Sequence, residues 1–112
     1  MLNLADIKSV KLATKPIRVE AWGGDVLIQK LSVTKRDELA KHFGSDDPEK
    51  MKEAAKRTII AGVIEESGQP IFSNEHMEML GDQDGEAIQK LFGDILEFNG
   101  MTKKSSAELE KP

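Results

Sequence analysis

Between Pro48 and about Ser67, the residues Met51, Ala54, Ala55, Thr58, Ile59, Gly62 and Val63 recur at three- and four-residue spacing. That stripe predicts one long helix with a single packing face. At about 1.5 Å per residue the helix would be roughly 30 Å long, as wide as a small domain, so it must be central and the rest must pack around it. Asp47 is placed to cap it, Pro48 fills the first helical position where a missing N–H costs nothing, and Gly68 is placed to end it. Gly62 inside a helix costs about 1 kcal/mol against alanine, which predicts that another backbone approaches closely there.

The flanking segments are shorter. Asn3 can cap a helix running to about Ala13, with Asp6 in its first turn and Leu4, Ile7, Val10 and Lys11 at helical spacing, before Pro16 stops it. Ile17–Ala21 and Val26–Leu31 read as two strands turning around Gly23-Gly24, a hairpin over about 16–32. Thr34-Lys35-Arg36-Asp37 resembles a capping box for a helix carrying Leu39, Ala40 and Phe43 and ending at Gly44. After Gly68, Ile71-Phe72 is expected to be extended and buried, and Ser73 to cap a short helix with Met77, Met79 and Leu80 up to Gly81. Asp82 or Asp84 opens a last helix on Ala87, Ile88, Leu91, Phe92, Ile95 and Leu96, and Asn99-Gly100 closes it. The expected fold is mainly α with a small β-hairpin (α+β), the hairpin packed on about four to five helices. One domain would span 1–100, with 101–112 a flexible polar tail.

The 112 residues suit one core, and with only Trp22 and four phenylalanines that core must rest on aliphatic side chains. No cysteine is present, which excludes disulfides and thiolate chemistry and is compatible with the cytoplasm. No apolar run reaches the roughly 20 residues of a membrane-spanning helix and the N-terminus lacks a signal-peptide pattern, so the chain is expected to be soluble and unprocessed. Residues 1–36 carry seven Lys/Arg against three Asp/Glu, while the remainder carries nine against seventeen. An acidic body repels nucleic acid, so no nucleic-acid partner is expected; a basic N-terminal face on such a body suits protein partners or self-association.

Catalytic chemistry has little to work with. There are two histidines, no tyrosine and no glycine-rich phosphate loop, so no catalytic residue, cofactor site or metal site is assigned and an enzyme is the weakest reading. In Glu75-His76-Met77-Glu78 neighbouring side chains on a helix point apart, leaving His76 as a surface residue. Asp82 and Asp84 lack the ligand ladder of a calcium loop. Glu65-Glu66 would sit at the end of the long helix, where the dipole disfavours them and a basic partner is expected. Trp22 at the hairpin tip is either folded onto the helices or presented to a partner. Met51, Met77, Met79 and Met101 would offer adaptable surface if exposed.

Taken in order, Val19-Glu20-Ala21-Trp22-Gly23-Gly24-Asp25-Val26-Leu27-Ile28, then Leu31-Ser32-Val33-Thr34-Lys35-Arg36-Asp37, the helix ending Val63-Ile64-Glu65-Glu66-Ser67-Gly68 and then Ile71-Phe72 resemble the tail assembly chaperones of long non-contractile-tailed bacteriophages. The resemblance runs colinearly over about 16–100. It implies a non-enzymatic factor of the host cytoplasm that binds and solubilises the tape measure protein, helps recruit tail tube protein and is absent from the mature virion. It also implies homo-oligomers, and a longer form made by ribosomal frameshifting in many such phages; Lys103-Lys104 is compatible with a slippery codon pair. The family carries no short binding signature. From their chemistry alone, Trp22, Val26 and Ile28 on the hairpin and Ile71, Phe72 and Met79 after the long helix are the candidate partner-binding residues, with the hairpin edge the first candidate for self-association. Two other readings stay open: a head–tail joining or tail completion subunit, and a small helical DNA-binding regulator, against which the acidic balance argues.

Overall fold

The structure, a computed structural model, describes residues 1–43 and 48–101. The expected stop at Gly44, the cap at Asp47 and the tail after Met101 lie outside the described residues, as does the packing of Met51. In chain order the elements are α1 (Leu4–Lys8), β1 (Thr14–Val19), β2 (Gly24–Gln29), α2 (Val33–Phe43), α3 (Pro48–Gly62), β3 (Val63–Ile64), α4 (Met77–Gly81) and α5 (Gly85–Phe98). Single 3₁₀ turns at Glu20–Trp22 and Asn74–His76 link them. This is the expected α+β arrangement, with one strand more than the hairpin.

The strands form an antiparallel sheet in the order β1-β2-β3. Alternation along the strands puts Ile17, Val19, Val26 and Ile28 on the side facing the helices. There Ile28 meets Ile59 of α3, Val63 of β3 and Ile95 of α5, all four with no exposed surface, and Leu80 of α4 and Ile88 and Leu91 of α5 complete the core. Thr58 is equally buried, and its hydroxyl donates to the Ala54 carbonyl oxygen at 2.7 Å, so that hydroxyl is not left unpaired.

The long helix stops sooner than its periodicity predicts. Val63 and Ile64 leave α3 and pair with Ile28 and Leu27, because β-branched residues fit a strand well and the free side of β2 offers backbone partners. The chain then reverses: Glu65 N–H donates to the Gln69 carbonyl, and Gly68, at φ +94°, donates to the Glu65 carbonyl. Glu65 and Glu66 therefore sit in a turn beyond β3, and the helix-dipole argument for a basic partner lapses. Gly62 closes α3, and what crowds it is the side chain of Ile95, which would lie 3.0 Å from an added Cβ, rather than another backbone.

Other boundaries moved for local reasons. The hairpin does not turn tightly on Gly23-Gly24: Val19 pairs with Gly24, and Glu20–Trp22 form a helical turn closed by Gly23 at φ +70°. Serine 32, one residue before α2, provides its cap, since Ser32 Oγ accepts from Lys35 N–H and its carbonyl from Arg36 N–H; Thr34 lies inside the first turn. The helix capped by Asn3 does form, with the reciprocal Asn3–Asp6 box, but it ends at Lys8 rather than Ala13. Ile71 is exposed and Phe72 half-buried, so neither is the buried strand expected.

Helix α5 follows its predicted signals. Asp84 accepts from Glu86 N–H at the start. At the end Gly100, at φ +68°, donates to the Glu97 carbonyl and Met101 N–H to the Leu96 carbonyl, the double closure of a Schellman motif. Asn99, almost fully buried, spans the join to the sheet layer: its Oδ1 accepts from Leu31 N–H at 2.7 Å and its Nδ2 donates to the Ile95 carbonyl. Asn99→Ala should lower unfolding free energy by about 1–3 kcal/mol, because it strands a buried N–H, with a lowered urea midpoint at unchanged m-value.

Candidate partner-binding surface

The helical turn after β1 aims Trp22 at the segment that leads into α4. Its indole Nε1–H donates to Gln83 Oε1 at 2.9 Å, and its ring lies against Phe72 at 6.0 Å between centroids. Phe72 in turn meets His76 edge-on at 6.0 Å. Gln83 Nε2 donates to the Met79 carbonyl oxygen at 3.2 Å and approaches its sulfur at 3.4 Å. Trp22, Phe72, His76, Met79 and Gln83 thus form one cluster on the helical side of the hairpin tip, with Trp22 folded onto the helices and half-buried.

His76 is not the free surface residue its neighbours suggest. Its Nδ1 accepts from Ser73 N–H at 2.9 Å while Ser73 Oγ accepts from Glu75 N–H, so the imidazole closes the cap of the turn before α4. Among the described residues no group of three or more metal-ligating side chains comes together, and no helix is long and apolar enough to cross a membrane.

The six candidate residues divide three ways. Trp22, Phe72 and Met79 meet in the cluster, where Met79 keeps 38% of its surface exposed. Val26 packs half-buried against the core and Ile28 has no surface to offer. Ile71, also 38% exposed, lies on the opposite side of the sheet.

Among the described residues no helix packs closely on that outer side, and it was not singled out from the sequence. Leu27 and Ile64, paired across β2 and β3, point there with Pro16 and Ile71 and line a shallow hollow of about 280 Å³ rimmed by Asp25, Glu65 and Glu66. A second hollow of about 470 Å³ shares Leu27, Ile64 and Glu66 and continues along Val10 and Leu12. The signal for it was available: three consecutive apolar residues, Val26-Leu27-Ile28, in a strand must give both faces of the sheet an apolar side chain.

Trp22→Ala should cost about 2–3 kcal/mol, less than a fully buried tryptophan, whereas Trp22→Phe keeps the contact with Phe72 and should cost about 1 kcal/mol for the lost hydrogen bond. Denaturant titration followed by far-UV circular dichroism checks both values.

No protein-family model matches the chain, and no curated protein matches it. Among solved structures, that of the tail assembly chaperone of bacteriophage HK97 matches with a TM-score of 0.61 at 18% sequence identity, over 84% of this chain and 90% of that chain. Identity this low speaks for the fold alone. The chain therefore has the fold of a bacteriophage tail assembly chaperone, the architecture implied by the resemblance in its residues.

Proposed function

We propose that this protein is a phage tail assembly chaperone that binds the tape measure protein, keeps its apolar helices soluble in the host cytoplasm and leaves before the virion is complete. The shared fold carries the proposal. The surface supports it: half-buried aromatic and exposed thioether side chains on the helical side of the sheet suit many modest contacts that can later be released, instead of one deep pocket. Action is by binding, with no catalytic step and no cofactor. Trp22, Phe72 and Met79 form the client surface, and Val26 supports the hairpin from inside. The chain self-associates around its client, and a longer frameshifted form recruits tail tube protein.

Coexpression with the tape measure protein of the same phage tests this. Most of the client should move from the pellet to the soluble fraction and copurify with this chain, and mass spectrometry of purified virions should lack its peptides. A client that precipitates regardless, with the chain present in virions at stoichiometric level, would make it a head–tail joining or tail completion subunit instead.

A further inference from the structure

In the N-terminal arm, residues 1–13, only Val10–Leu12 and Ala13 meet the sheet, and the part before them has no substantial packing partner. Its helix α1 has both halves of its capping box in place, so the sequence encodes it locally, yet it makes no substantial packing contact with any other element. Leu4, Ile7 and Val10, at helical spacing, are 67, 58 and 73% exposed, and Met1 and Leu2 more so. A helix this short is marginal in water by itself. An apolar stripe of this kind on a capped helix is one that finishes folding on another surface.

The same chain carries a surface that fits it. The hollow on the outer side of the sheet is apolar at Leu27 and Ile71, with Ile64 already buried, and acidic at its rim through Glu65 and Glu66, while Asp25 is paired with Arg18. The arm is apolar at Leu4, Ile7 and Val10 and basic through Lys8 and Lys11, with Asp6 its one acid. Charge and apolar character are complementary, and arm and hollow are joined at Leu12, where the arm enters β1 at the margin of the hollow. Strand-to-strand pairing along the β1 edge is a poorer route to association, because Pro16 in mid-strand has no N–H to donate and Lys15 and Arg18 flank it.

We propose that the arm of one copy docks in the outer-sheet hollow of a second copy, Leu4 and Ile7 covering Leu27 and Ile71 while Lys8 and Lys11 face Glu65 and Glu66. Donor and acceptor are different patches and every copy has both, so the exchange either closes reciprocally between two copies or continues from copy to copy. This gives a surface to the self-association proposed above and rests on that part of the proposed function only.

Light scattering after size exclusion reads the result on the full chain. The parent should run at twice the 12.4 kDa chain mass or a higher multiple, and Leu4→Asp/Ile7→Asp at the single-chain mass with unchanged circular dichroism. Lys8→Glu/Lys11→Glu should weaken association at least tenfold, and mixing it with Glu65→Lys/Glu66→Lys should restore it. Because the chain has no cysteine, a mixture of Ile7→Cys and Ile71→Cys chains should yield a cross-linked heterodimer on oxidation. A monomeric parent overturns the proposal. So does a double Ile7→Cys/Ile71→Cys chain that closes only within itself at dilution, which would make the arm its own lid. An arm variant that keeps the parent's mass but no longer solubilises the tape measure protein also overturns it and assigns the arm to the client, leaving the chaperone reading standing.

Discussion

Four side chains hold this fold in register: Ile28 from the middle strand, Ile59 from the long helix, Val63 from the strand that follows it, and Ile95 from the last helix. Each comes from a different element and none retains any contact with water, so the sheet, α3 and α5 can each bury an apolar face only against the other two. A three-stranded sheet has no stability of its own in water without such a face. Gly62 is part of the same constraint, because a side chain there would collide with Ile95 and push α5 away from the junction of α3 and β3.

Around that junction the polar backbone is closed by a small set of specific side chains. Asn99 satisfies Leu31 N–H in a place water does not reach and fixes where the chain leaving the sheet meets the end of α5. Lys30 adds to the same corner, donating to the Phe98 carbonyl and lying 4.8 Å from the centre of its ring. Ser73 and His76 close the turn before α4, which in turn supports Phe72 beneath Trp22. The aromatic cluster is thus held by caps at its base, while its outer margin at Met79 stays exposed.

A thin sheet of this kind buries one face and leaves the other to be covered by something else. Here the uncovered face is apolar with an acidic rim, and the N-terminal arm is apolar and basic. Apolar surface that a chain does not use for its own folding must be kept from aggregating. The carboxylates at the rim and Pro16 on the edge strand serve that need by opposing indiscriminate strand pairing.

At several helix ends a local rule was sufficient, though not at Thr34, where Ser32 provides the cap. The caps at Asn3, Ser73 and Asp84 and the Asn99-Gly100 stop lie where residue type places them, because a cap is an interaction among neighbours and needs no tertiary partner. The stripe of α5 was equally legible, since Ile88, Leu91 and Ile95 are all buried. Only the tertiary structure decided that Val63-Ile64 leaves the long helix, because their strand partners lie some 36 residues earlier and helical periodicity carries no information about them. Distance in sequence also hid the site. Gln83 reaches Trp22 across 61 positions, and the two faces of Val26-Leu27-Ile28 could not be told apart until the helices covered one of them. Residue type determined which segments fold and how several of them are capped; where the long helix stops and which apolar surfaces remain uncovered follow only from how those segments pack.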